Sequence, residues 1–139
     1  MDNFSSQFTE ARNRSRLDDL MLGKGFVPYH PALDTGVDVI YYHEIADQIL
    51  KVQLKSRATM DKKYIGRGIV VAFPTDDHWY IYDHDAFVEN AVGDHVDPTT
   101  KSWSENGLWT WKIIPKWMRS YLDANNLATD LIEANGVPR

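Results

Sequence analysis

The sequence contains no cysteine, and this absence removes several classes of chemistry at once. Disulfide bonds, thiolate nucleophiles and cysteine-ligated zinc are all excluded. No apolar run is long enough to cross a bilayer, and the N-terminal residues lack the apolar segment of a secretory signal. We therefore expect a cytoplasmic protein without a membrane partner.

Familiar catalytic signatures are also missing. The five histidines show no spacing typical of a metal site, and the glycines form no phosphate-binding loop. The two acids of "DHD", Asp83 and Asp85, are more typical of the start of a helix than of a metal site. Function must therefore be inferred from shorter local patterns.

Size and composition indicate one compact domain. The 139 residues are 43% hydrophobic, which suffices for a single hydrophobic core. We expect the central part of the domain at about residues 7–92 and a C-terminal extension at about 93–139. The net charge is −5, yet six basic residues and one acidic residue lie between Lys51 and Arg67. Such a stripe is compatible with phosphate contact and equally typical of a solvated strand edge.

The hydrophobic pattern predicts a mixed α/β sheet flanked by helices. A helix is expected over Gln7–Leu22, ended by Gly23 and Gly25. Strands are predicted at "FVPYHP", "VDVIYYH", "ILKVQLKS", "RGIVVAFP" and "HWYIY", and "TMDKKYIG" reads as a loop or a single helical turn. "DHDAFVENA" opens a further helix, and the tail is expected to be helical from Pro115.

Four of the five tryptophans lie in the C-terminal extension, which we expect to be a Trp-rich helical extension. Lysines alternate with them, so they could form a stacking platform for single-stranded nucleic acid. The acidic balance of this half opposes that interpretation. We expect instead that the tryptophans pack against the sheet or form a dimer interface.

The stretch "VDVIYYHEIADQILKVQLKSR" predicts an antiparallel hairpin with a short polar turn. If His43 faces Gln48, then Asp38 lies directly opposite Gln53 on the neighbouring strand. Alternation along the second strand places Lys55 on the same face as Gln53. The sequence therefore predicts a cluster of Asp38, Gln53 and Lys55.

This cluster has the donors for a hard divalent cation such as Mg²⁺ or Mn²⁺. The Asp38 carboxylate and the Gln53 carbonyl supply oxygen ligands, and the backbone carbonyl of Leu54 could add a third. Lys55 could orient a water molecule or stabilise charge on a phosphate. The alternative is a solvated hairpin face with an Asp–Lys pair that contributes less than about 1 kcal/mol.

The order of helix, "GKGFVPYHP", "GVDVIYY" and "ILKVQLKSR" resembles the PD-(D/E)xK nuclease superfamily, which has a restriction-endonuclease-like αβββαβ core. In that pattern an acid begins the second core strand, and an acid-x-Lys motif lies in the third. The resemblance matches Asp38 with the first acid and Lys55 with the catalytic lysine. Gln53 stands where the second acid is usual, and Glu10 is matched with a glutamate that many members carry on the first helix.

The resemblance implies a metal-dependent endonuclease that acts on DNA. The exposed cations expected to contact DNA phosphates follow the motif and are Arg57, Lys62, Lys63 and Arg67. A homodimer is plausible because nucleases that cut both strands commonly pair about a two-fold axis. Because Gln53 removes one negative charge, the alternative is a degenerate member that binds nucleic acid or protein without cutting.

Overall fold

The computed structural model describes residues 3–129, with side chains from Ser5 onward, so the predicted tail beyond residue 129 lies outside it. Its helices are α1 (Asn3–Gly23), α2 (His84–Ala91), α3 (Lys101–Ser104) and α4 (Lys116–Ala124). Its strands are β1 (Phe26–Tyr29), β2 (Val39–His43), β3 (Gln48–Leu54), β4 (Ala58–Asp61), β5 (Ile69–Pro74), β6 (Trp79–Asp83) and β7 (Leu108–Trp111). A 3-10 turn over Lys62–Tyr64 follows β4.

Five strands form one mixed sheet in the order β1-β2-β3-β5-β6, which confirms the predicted α/β class. Only β3 and β5 run parallel; the other neighbours are antiparallel. β5 lies next to the last position of the sheet, and Ile69 to Phe73 are all buried. This agrees with its continuous apolar sequence, because a strand covered on both faces needs no polar alternation.

Helix α1 covers one face of the sheet with only its C-terminal half. Leu17 and Met21 are fully buried against β1, β2 and β3, while residues 5–12 are exposed. The helix ends at Gly23 as predicted, and Gly25 follows with a φ of 93° that favours glycine. Twenty-one residues at about 1.5 Å each give a helix of roughly 31 Å, so its N-terminal half extends past the packed region.

The other face of the sheet is covered by α2, the β4–β7 pair, α3 and α4. Trp103 is buried there in one cluster with Phe73 and Tyr82, and the tryptophans at 109, 111 and 117 pack against the same cluster. The predicted packing of the tryptophans against the sheet is therefore found. The C-terminal extension contributes directly to the hydrophobic core on this side.

Two expectations about the secondary structure were wrong. Leu108–Trp111 is a strand and not part of a helical extension, because its alternating Trp and Thr side chains suit a half-buried strand and β4 offers it a partner. The connection from β3 to β5 was expected to be a loop or a single helical turn; the turn is found as the 3-10 turn Lys62–Tyr64, but the strand β4 precedes it, and no α-helix of the αβββαβ order lies there. With only fourteen residues and two positive-φ glycines, Gly66 and Gly68, this connection leaves little room for a longer helix.

The free edge of β6 is closed by one side chain. The Asn126 amide accepts a hydrogen bond from the backbone N–H of Ile81 at 3.0 Å and donates one to the carbonyl of Trp79 at 2.9 Å. This arrangement reproduces the pairing of a neighbouring strand. It therefore protects an edge that could otherwise pair with another chain.

Candidate active site

The predicted hairpin register is confirmed. His43 pairs with Gln48 and Val39 with Val52. Just before β2, the backbone N–H of Asp38 donates to the carbonyl of Val52 at 2.8 Å, and its Oδ2 accepts from the N–H of Leu54 at 2.8 Å. These two hydrogen bonds hold the Asp38 carboxylate against the end of β3.

An open cleft of about 980 Å³ lies where this hairpin end meets the exposed half of α1. The four residues predicted to be catalytic all line it: Asp38, Gln53, Lys55 and Glu10. Leu54 also lines it. Glu10 reaches the cleft because α1 extends beyond the part of the helix that packs on the sheet.

Gln53 carries an unusual feature. Its Oε1 is the one buried side-chain nitrogen or oxygen atom in the described residues that has no hydrogen-bond partner. A buried carbonyl oxygen left in this state costs about 1–3 kcal/mol. An oxygen that is free to coordinate a hard cation fits the donor set of Asp38 and the Leu54 carbonyl.

The position of Lys55 is defined by backbone and aromatic contacts. Its N–H donates to the carbonyl of Ala72 at 2.9 Å, and its Nζ lies 5.6 Å from the centre of the Tyr64 ring. Lys63 Nζ lies 5.4 Å from the centre of the same ring. Burial raises the pKa of the Tyr64 hydroxyl, against the opposing effect of Lys63, so the ring is neutral and can attract both ammonium groups.

The loop before Asp38 is held by Arg67. The Arg67 Nη2 donates to the carbonyl of Thr35 at 2.7 Å, and the guanidinium lies over Gly36. A Cβ at position 36 would lie 2.7 Å from Arg67 Nη1 and 3.6 Å from Tyr64 Cε1. The φ of Gly36 is 94°, which disfavours any residue with a Cβ, and an added Cβ would also displace the end of the Arg67 side chain.

The predicted DNA-contacting cations do not line the cleft. Arg57, Lys62, Lys63 and Arg67 are exposed at the surface. Lys62 Nζ lies 5.2 Å from the centre of the Trp103 ring, and Lys63 lies 3.7 Å from the Asp61 carboxylate. The Arg67 guanidinium already donates to the carbonyl of Thr35, so it is less free to bind phosphate than the other three.

Sequence reasoning missed two charged residues of the cleft, Arg14 and Asp34, whereas His30, which also lines it, was expected to flank the predicted cluster. Arg14 lies one helical turn after Glu10, so the i, i+4 spacing was a usable signal once Glu10 had been placed. Asp34 Oδ1 accepts from the N–H of Gly36 at 3.3 Å, a local turn pattern that "DTG" suggests. With Lys55, the lining holds three carboxylates and two permanent cations.

A second polar cluster, around His84, connects β4 to the start of α2. The fully buried His84 accepts the backbone N–H of Asp61 at Nε2 and contacts Asp85 at 3.0 Å through Nδ1. Asp83 caps α2, as predicted from "DHD". Asp85 instead accepts the N–H of Gly66 at 2.9 Å, which lowers the pKa of its carboxyl. Both ring nitrogens of His84 are therefore used in holding the fold.

A scan against protein-family models finds no match, and no curated protein matches the sequence. Within residues 3–129, no helix is long and apolar enough to cross a membrane. The same residues contain no group of three His, Cys, Asp or Glu side chains able to share a metal ion.

Proposed function

We propose that this chain is a metal-dependent nuclease that hydrolyses DNA phosphodiester bonds in the cleft. The observation that supports it best is the meeting of Asp38, Gln53, Lys55 and Glu10 in one open cleft. These residues come from α1, the position just before β2 and the end of β3, and a solvated hairpin face would not require this convergence. The resemblance of the hairpin to PD-(D/E)xK nucleases supports the same assignment.

The chain's own oxygens would hold Mg²⁺ or Mn²⁺. Asp38 would supply the negative charge, and Gln53 Oε1 and the Leu54 carbonyl would supply neutral ligands. The unpaired Gln53 Oε1 fits this role, since coordination would relieve the cost of leaving it buried without a partner. A bound divalent ion would neutralise phosphate charge and lower the pKa of a water molecule.

Lys55 would stabilise the phosphate as negative charge develops on its oxygens. Its Nζ is held over the Tyr64 ring, so the ammonium group is oriented before substrate arrives. Glu10 would accept a proton or a hydrogen bond from water on the opposite wall. Arg57, Lys62 and Lys63 would contact the DNA backbone beyond the cleft and contribute to affinity without sequence information.

The test is cleavage of linear duplex, single-stranded and branched DNA in Mn²⁺. Asp38→Asn and Lys55→Ala should each reduce the cleavage rate about 100-fold or more, because each removes a group that stabilises charge at the phosphate. Lys116→Ala removes an exposed cation outside the cleft and should cleave like the wild type. Undiminished cleavage by both Asp38→Asn and Lys55→Ala would sink the proposal.

One observation favours a second candidate, a nuclease-like protein that binds nucleic acid or protein without cutting. Gln53 replaces an acid, and no three His, Cys, Asp or Glu side chains converge within residues 3–129. Gel-shift measurements in Ca²⁺ would detect such binding without turnover. Under the second candidate, neither the wild type nor Gln53→Glu cleaves DNA. Under the nuclease proposal, the wild type does.

A further inference from the structure

Three histidines in the described part of the chain contact a carboxylate, and only one of them faces the cleft. His78 lies in the exposed turn between β5 and β6, and both ring nitrogens of His84 are used by the fold. His30 lines the cleft, and its Nε2 lies 3.1 Å from Asp18 Oδ2. Its side chain remains 46% exposed, so the ring is accessible to a ligand.

The carboxylate that contacts His30 is itself fixed. Asp18 Oδ1 accepts a hydrogen bond of 2.6 Å from the hydroxyl of Tyr41, which is fully buried beneath α1. Burial and this hydrogen bond raise the pKa of Tyr41 well above its usual range, so the hydroxyl stays protonated and donates. Tyr41, Asp18 and His30 thus form a chain of hydrogen bonds from the core to the cleft.

The backbone places His30 close to the predicted catalytic cluster. Tyr29 is the last residue of β1 and pairs with Ile40. His30 follows at the end of the sheet where Asp38 precedes β2, and adjacent strands lie only about 4.8 Å apart. Because Nε2 is taken by Asp18, the other ring nitrogen, Nδ1, is the one available to a substrate, and it bonds to none of the described residues.

We propose that His30 is the general acid of the cleft and that Asp18 and Tyr41 are its positioning residues; this inference rests on the proposed phosphodiester hydrolysis. Water attacks phosphorus, and the bond from phosphorus to the leaving sugar oxygen breaks with its electron pair on that oxygen. The Nδ1 proton of protonated His30 goes to the oxygen, which leaves as a hydroxyl. The attacking water loses a proton to Glu10, which passes it to solvent, and solvent reprotonates His30.

The surroundings of His30 suit this role. The other charged groups that line the cleft come from α1, the loop before β2 and the end of β3; they are Glu10, Arg14, Asp34, Asp38 and Lys55. An ionised Asp18 can accept the Nε2 proton in both the charged and the neutral form of the ring. It therefore keeps the ring orientation constant while Nδ1 gives up and regains its proton.

The test compares two forms of the same DNA substrate. Product ends first identify the leaving oxygen, and a second substrate then carries sulfur in its place, because a thiolate leaves without being protonated. His30→Gln should slow cleavage of the oxygen substrate about 100-fold or more and leave cleavage of the sulfur substrate nearly unchanged. His78→Gln, an exposed histidine beside Asp77 and outside the cleft, should change neither rate.

Other outcomes separate this inference from the proposed function. Equal slowing of both substrates by His30→Gln, or no slowing of either, would overturn the general-acid role while the nuclease proposal stands. Absence of cleavage by the wild type would overturn both. Tyr41→Phe should slow only the oxygen substrate, since it frees Asp18 without touching the substrate. Added imidazole should partly restore His30→Ala on the oxygen substrate alone.

Discussion

Replacing Gly36 with alanine should destabilise the protein in two separable ways. The φ of 94° is unfavourable for any residue with a Cβ, at a cost of about 1 kcal/mol. The new Cβ would also lie 2.7 Å from Arg67 Nη1, so the guanidinium must move and its hydrogen bond to Thr35 is lost. That bond is exposed and contributes about 1 kcal/mol, which gives a total near 2 kcal/mol.

Gly66 provides the matched control. Its φ is 81°, and a Cβ there would meet nothing within 4 Å. Gly66→Ala should therefore cost only the backbone term, about 1 kcal/mol. Urea unfolding should show the two variants separated by about 1 kcal/mol, or roughly 4 °C in Tm.

Gly36→Ala should reduce cleavage activity more than it reduces the stability of the fold. Gly36 lies two residues before Asp38, so displacement of Arg67 frees the loop that presents the carboxylate. We expect Gly36→Ala to lose cleavage activity under conditions where it remains folded, while Gly66→Ala keeps it. Equal free energies of unfolding for the two variants would refute the close approach of Arg67. In that case the destabilisation caused by Arg67→Ala and that caused by Gly36→Ala should add fully in the double variant.

Three further predictions concern stability. Asn126→Ala should cost about 3 kcal/mol and promote association seen by light scattering, because the β6 edge loses its partner, whereas exposed Asn125→Ala should do neither. The pKa of Asp85 is lowered in the folded state, so its stabilising contribution is present above the unfolded value of about 4 and is lost as pH falls below it. The deficit of Asp85→Asn in urea should therefore shrink on acidification. Gln53→Leu should unfold at equal or higher urea than the wild type while losing metal binding, because it removes a buried unpaired oxygen.

The hairpin could be predicted because its determinants are local. Two alternating strands and a short polar turn fix the register from His43–Gln48, and the register in turn places Asp38 beside β3. The buried strand β5 could be predicted equally well, since its five apolar residues leave no polar face. These are the elements for which neighbours in sequence are also neighbours in space.

Long-range contacts could not be predicted in the same way. β4 pairs with β7 across about fifty residues, and neither strand has a pattern that names its partner. The contact of His30 with Asp18 depends on the packing of α1, and the position of Arg67 over Gly36 depends on the β3–β5 connection. The sequence thus predicted the central cluster of the cleft, while the residues that hold it came only from the structure.

The most direct test of a metal site in the cleft is binding of Mn²⁺ to the protein without DNA. The loss of the electron paramagnetic resonance signal of free Mn²⁺ measures this binding. A metal site at Asp38 and Gln53 predicts saturable binding by the wild type, weaker binding by Asp38→Asn, and tighter binding by Gln53→Glu, because the last adds a negative charge at a residue that lines the cleft. Lys116→Ala should bind like the wild type. Equal Mn²⁺ binding by the wild type, Asp38→Asn and Gln53→Glu would contradict a metal site in this cleft.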